Sequence, residues 1–183
     1  ANVKTVNGYL NQLNHYSDKT IYNFSQMASA IGKFTAAGVS LPDATNAIRG
    51  MANSAALSGA SVEQLNSAMY QMSQALAAGT IHLMDWNSLV NANMGGQNMQ
   101  KSLEATAMTM ADGGKAMTDA TTAAGNFRDS LQAGWLSADI FNKTMKVMGG
   151  QTDKAGNIVA YTTEQLQKMG YSKEAAKRLH ELS

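Results

Sequence analysis

The chain contains no cysteine, a single proline and no apolar run approaching the length of a membrane-crossing helix. Without cysteine there are no disulfides, no thiolate nucleophile and no zinc ribbon, a pattern that fits an intracellular origin. A bilayer-spanning helix needs about 20 consecutive apolar residues. The opening ANVKTVNGYL has neither the basic start nor the apolar stretch of a secretion signal. Excess charge of one sign is missing too, because 14 basic residues nearly cancel 13 acidic ones. A chain so balanced projects no long-range field toward phosphate backbones or acidic lipid, so neither is its first partner. Large apolar residues are also scarce. Leu, Ile, Val and Phe make up 31 of the 183 residues, under the ~20% level at which disorder becomes a concern. The low net charge and the 13 methionines argue instead for a folded chain with a loosely specified core. A chain of this length buries roughly 70% of its unfolded surface, enough for one domain with a small annex. It lacks an initiator Met, and Ser183 ends what reads as an unfinished helix, so it reads as a piece of a longer protein.

What is present is a series of helix signals with breakers between them. Ile21, Phe24, Ala28 and Ile31, adjoined by Met27 and Phe34, are spaced as one helix face, and Gly38 ends it. Ser40-Leu41-Pro42-Asp43 is a helix start, followed by the face Ala44, Ile48, Met51, Ala55 and a stop at Gly59. Ser61-Val62-Glu63-Gln64 opens the most regular stripe, Val62, Leu65, Met69, Met72, Leu76, closed by Gly79. Asp85 caps a short helix carrying Trp86, Leu89 and Val90, which Gly95-Gly96 breaks. Met99, Leu103, Ala107 and Met110 form a further face closed by Gly113-Gly114, and residues 115–126 read as a loop or weak strand pair. Two helices follow around Gly134-Trp135-Leu136, over Phe127 to Leu131 and from a cap at Ser137 to Met148. After Gly149-Gly150, a turn at Ala155-Gly156-Asn157 before Ile158-Val159 suggests a hairpin. Thr162 and Ser172 then cap two last helices, separated by Gly170. A Gly or Pro about every twenty residues excludes a continuous coiled coil. The expectation is an all-α bundle of seven to nine short helices with at most one small β-hairpin. Residues 1–15 form an N-terminal segment of uncertain order, 16–150 the helical module, and 151–183 a small C-terminal unit.

Chemistry-bearing sets are hard to assemble from this sequence. His15, His82 and His180 lie far apart, outside any HExxH spacing, and His82 with Asp85 makes only two ligands. Paired carboxylates are the minimum for cutting a glycosidic bond, but Glu63, Glu104 and Glu164 read as helix-start or surface residues. There is no GxSxG elbow, and the glycine pairs lack the GxxxxGK[ST] phosphate cradle. No catalytic, cofactor-binding or metal residue is therefore assigned, and no cofactor or small-molecule substrate is expected. Lys173, Lys177, Arg178 and His180 read first as a solvated helix face.

Four strings carry a resemblance: FSQMASAIGKFTAAGVSLPDA (24–44), AIRGMANSAALSGAS (47–61), QMSQALAAGTIHLMDWNSLVNANMGG (71–96) and FRDSLQAGWLSADIF (127–141). In order and spacing they resemble the tape measure proteins of long-tailed phages and prophages of Gram-positive bacteria, over roughly residues 16 to 148. The resemblance implies a structural virion protein, made in the bacterial cytoplasm and placed in the tail lumen. Such a protein sets tail length, takes part in assembly, and leaves ahead of the DNA at infection. It also implies tail assembly chaperones and tail tube subunits as partners, an oligomer in the tail, and membrane contact only through other parts of the full protein. Transient contact with passing DNA remains compatible with it. The alternatives are a module associated with a cell-wall hydrolase, or a helical adaptor unrelated to phage. Within the matching strings, Trp86 and Trp135 have core packing as their first reading. The sharper reading is a docking surface made by Asp85, Trp86, Met94, Gly95, Gly96 and Trp135.

Overall fold

Ser40, Ser61, Asn126, Ser137 and Thr162 each accept a hydrogen bond from the amide three residues on, and each opens a helix. The oxygen satisfies one of the amides that a helix start leaves without an intrahelical acceptor. Ser61–Gln64 and Thr162–Gln165 are reciprocal capping boxes, the glutamine reaching back to the cap residue's own amide. At the other ends, Gly59 (φ 76°) and Gly79 (φ 96°) occupy the left-handed region that stops α-helix propagation.

The computed structural model describes residues 2–17 and 24–182. Its elements run α1 (Val3–Ser17), α2 (Phe24–Ala36), α3 (Leu41–Ser58), α4 (Val62–Ala78), α5 (Leu83–Asn91), α6 (Gln97–Met108) and α7 (Gly113–Ala124). Then come α8 (Phe127–Ser130), which continues into a 3-10 turn at Leu131–Ala133, and α9 (Ala138–Met148). The C-terminal part holds β1 (Gln151–Thr152), β2 (Ile158–Val159), α10 (Thr163–Lys168) and α11 (Lys173–Leu182). The all-α reading and the hairpin both hold; β1 and β2 pair antiparallel, Gln151 opposite Val159. Ile21 lies outside the described residues, as do the side chains of His15 and Phe24.

Three local readings need correction. Residues 115–126, expected as a loop or strands, are helical as most of α7, which begins at the glycine pair read as a stop. Their small residues carry little apolar signal, but Met117 and Ala120 are buried three positions apart, and packing against α6 and α8 decides the matter. Gly113 permits that packing, since a Cβ there would stand 3.2 Å from the Ala107 carbonyl oxygen. Asp85 does not cap α5 from outside. The helix starts one turn earlier with His82 as its N-cap, and the Asp85 carboxylate reaches back to the His82 amide at 2.9 Å. With α1 and α7 added to the expected helices, the described residues contain eleven α-helices, not seven to nine.

The core sits on the α3–α9 pair, the most extensive helix contact among the described residues. α2 packs on α3 and α4, α1 on α2 and α3, and α6 bridges α7 to α9. The buried set is rich in methionine and alanine, among them Met27, Met51, Met72, Met145, Ala47, Ala52 and Ala68. Alanine lets helices approach closely, and methionine fills the irregular gaps that remain. A second, smaller core joins Val147 of α9 to Leu166, Tyr171, Ala175, Ala176 and Leu179 of the C-terminal unit. Polar bonds fix that unit in place. The buried Arg49 guanidinium donates to the carbonyls of Gly149 and Gly150 at 3.1 and 3.0 Å. The Asn53 amide donates to Met148 and Leu182 carbonyls at 2.9 and 3.0 Å.

Candidate functional site

The strings at 71–96 and 127–141 meet in one buried aromatic cluster. Trp86 on α5 is 1% exposed, and its ring lies 4.7 Å from that of Phe127 on α8. Phe127 in turn meets Trp135 edge to face at 5.7 Å, a favourable quadrupole arrangement. The Trp135 indole donates to the Ser130 hydroxyl at 2.9 Å, so its one polar atom is satisfied inside the protein. Asp85 is half-buried and fully employed: beyond the His82 amide it accepts from the Gln71 side chain at 2.8 Å, tying α5 to α4. The structure thus places both tryptophans under the surface.

That loop is where the string at 71–96 reaches the outside. Asn93 adopts a positive φ of 59°, and the Met94 amide donates to the Leu89 carbonyl at 2.8 Å. The turn drives Met94 inward, leaving it 2% exposed. Gly95 rests against Val90, where a Cβ would stand 2.6 Å from a valine methyl, and the Gln100 side chain holds its carbonyl at 3.0 Å. Gly96 then serves as the N-cap of α6 with no side chain to do the capping. Among the described residues, the amides of Gln97, Asn98 and Met99 consequently have no acceptor.

Gln97, Asn98 and Met99 line a cleft of about 260 Å³. Ser54 and Leu57 of α3 form one wall, Met94 the floor, and Met148 and Leu182, the ends of α9 and α11, the far side. Of the six candidate residues, Met94 and Gly96 line this cleft, Gly95 adjoins it, and Asp85, Trp86 and Trp135 do not line it. Ser54 and Leu57 are absent from the sequence reading. Leu57, 61% exposed, falls outside the α3 stripe, and only that irregularity marked it in the sequence.

The remaining chemical candidates are dispersed. Among the described residues no group of three or more His, Asp or Glu side chains is placed to hold a metal. His82 is exposed, and His180 Nδ1 lies 2.7 Å from the Tyr161 carbonyl. Glu104 is half-buried, and its carboxyl is raised above the ordinary carboxylate value by burial, against the opposing pull of Lys101 and Arg178. Lys173 and Lys177 are exposed on α11, opposite the buried Ala175, Ala176 and Leu179. Lys143 contacts the Thr109 hydroxyl at 2.6 Å and the Met169 carbonyl at 2.8 Å, and lies over the Tyr171 ring. Burial, then the neighbouring Lys146, lowers its pKa. Among the described residues no helix is long and apolar enough to cross a membrane.

Short helices around a methionine-rich core, with a neutral cleft bordered by the recognisable strings, define a helical structural module. A family model described as tape measure protein matches residues 2–169, and the chain belongs to the tape measure protein family, structural proteins of the phage tail. The matched stretch runs from α1 through α10, wider than the strings alone. No curated protein and no solved structure matches the chain.

Proposed function

We propose that this chain is a folded assembly module within a tape measure protein, a compact node in the ruler and not a length-measuring stretch of it. It has no catalytic role. It works by contact with tail assembly chaperones and tube subunits, in the tail of the virion, and is made in the host cytoplasm. Residues 16–150 are the body of the module, residues 1–15 its N-terminal segment, packed on it through α1, and residues 151–183 a small annex. One observation carries this reading: among the described residues the longest helix, α3, has 18 residues, and the chain turns back between successive helices onto a shared core. An unbroken helix of the whole chain would measure about 275 Å, at a rise of roughly 1.5 Å per residue. No such reach is available to a folded bundle.

The test is to duplicate the segment in tandem within its parent protein and measure tails by electron microscopy. A ruler stretch lengthens the tail by about 275 Å. The folded module leaves tail length within a small fraction of that, and its deletion blocks assembly in place of shortening the tail. Proportional lengthening on duplication overturns the proposal, as does a rod-like small-angle scattering profile of the isolated chain.

A further inference from the structure

The C-terminal annex joins the body through two glycines and packs on itself more than on its support. Among the described residues, α10 and α11 contact each other more extensively than α11 contacts α6 or α9. The annex core takes one buried apolar side chain from the body, Val147, together with the half-buried Ala105. From the hairpin, the half-buried Ile158 leans on the main core. Much of the remaining attachment is polar. On one side Arg49 and Asn53 hold the carbonyls of Gly149, Gly150 and Leu182. On the other, Lys143 of α9 donates to the Met169 carbonyl at 2.8 Å, and the Tyr171 and Thr106 hydroxyls meet at 2.7 Å. Thr144 donates to Thr106 at 2.7 Å, so hydroxyls of α9, α6 and the annex form one buried chain.

Hydrogen bonds across such a boundary are exchanged for bonds to water when the two surfaces part, so each shifts the opening equilibrium by only about fivefold. Buried apolar area is what makes separation costly, and few apolar side chains cross here. Gly149 and Gly150 supply the pivot. Gly150 holds φ at 75°, and a Cβ on it would stand 2.7 Å from the Val159 carbonyl oxygen, so the docked form requires glycine there. The same residue regains the widest choice of backbone angles once that contact is lost. We propose that residues 151–182 are a latch, opening from the body as one unit about Gly149–Gly150 while the helices from α1 to α9 stay folded. Opening parts Tyr171 from Thr106, uncovers Val147 and withdraws Leu182 from the cleft. The module therefore has a closed and an open form that offer different surfaces. The latch does not depend on the assembly-module reading.

The test is native-state hydrogen exchange of the isotopically labelled chain, followed by amide NMR over a series of sub-denaturing urea concentrations. Protected amides of α10 and α11 are expected to share one opening equilibrium, at least about tenfold more populated than that of α3 and α4. Its urea dependence is shallower, because opening the annex exposes less surface than unfolding the chain. Two variants loosen the latch from its two sides. Tyr171→Phe keeps the ring and removes the hydroxyl that meets Thr106, and Lys143→Met keeps an unbranched side chain and removes the donor to Met169. Each is expected to speed exchange in α10 and α11 by at least about fivefold, with exchange in α3 and α4 unchanged. Protection and urea dependence in α10 and α11 equal to those of α3 and α4 overturn the proposal, because the chain then opens only as a whole. Urea dependences that differ between α10 and α11 overturn it too, since the two helices then fray separately. So does a variant that speeds exchange equally in α3. Tail length on duplication is a separate readout, so the latch and the module reading fail independently.

Discussion

Gly50 lies in the interior of α3 where α9 crosses it, and replacing it with alanine sets two known effects against each other. A Cβ at this position would stand 2.5 Å from the Met145 carbonyl oxygen, 2.6 Å from its Cα and 2.7 Å from its Cβ. Ordinary carbon contacts lie at 3.5–4.0 Å, so the two helices must part by about 1 Å. The obstruction is mainly backbone and cannot rotate aside. Overpacking of this kind costs about 1–3 kcal/mol, while alanine in a helix interior returns about 0.5–1 kcal/mol over glycine. The balance is a loss of about 1–2 kcal/mol, or a Tm lower by roughly 2–8 °C for a domain of this size. Gly32 on α2 is the control. It is exposed, and a Cβ there meets nothing within 4 Å, so Gly32→Ala gains about 0.5–1 kcal/mol. Urea unfolding followed by far-UV circular dichroism measures both. A Gly50→Ala chain as stable as the parent, or both variants moving in the same direction, refutes the packing argument.

Trp86→Ala is expected to destabilise by about 3–5 kcal/mol, because it empties a fully buried aromatic site; unchanged urea stability would place the ring outside the core. Arg49→Met removes the donor to the Gly149 and Gly150 carbonyls and is expected to cost about 1.5–3 kcal/mol, with faster amide exchange across residues 151–182. Tyr171 gives a pH signature. Burial pushes its phenol up to about 12, outweighing the Thr106 hydrogen bond that pulls the other way. The unfolded phenol loses its proton near pH 10, so at higher pH the folded chain retains a proton that the unfolded chain has released. The stability tied to Tyr171 is whole below about pH 10 and is lost as pH rises through about 12. The stability difference between the parent and Tyr171→Phe therefore shrinks over that window; a constant or growing difference contradicts the assignment.

Cap chemistry was legible because it is local. Ser40, Ser61, Ser137 and Thr162 act on amides three residues away, and the spacing alone reveals them. The α3 and α4 stripes were legible because each is long enough for its periodicity to stand out. α7 was not, since Met117 and Ala120 are too few to make a pattern, and its helicity depends on neighbours that sequence spacing does not show. The candidate site was half visible. Met94 and Gly96 stood out within their string, but Ser54, which lines the cleft with them, stands roughly forty residues earlier in the chain, where nothing local distinguishes it from any other helical serine. Trp86 and Trp135 drew notice as aromatics. That Phe127 joins them in one cluster is a tertiary fact with no signature in either string.

The cleft and the C-terminal annex share a wall, so the cleft is complete only while the annex is docked. The annex has a small core of its own, completed only by Val147 of α9, and a core of that size holds about thirty residues poorly by itself. Its position depends on donors from α3, above all Asn53, which holds the last carbonyls of α9 and α11 together. Met148 and Leu182, whose carbonyls Asn53 grips, are also the apolar far side of the cleft. Opening of the annex removes that wall, and the frequency of opening is set by these few contacts. Asn53→Ala, which removes the donor to the Met148 and Leu182 carbonyls, should therefore speed amide exchange throughout α11. Exchange in α11 left unchanged by that substitution would show that the annex core holds the unit without Asn53.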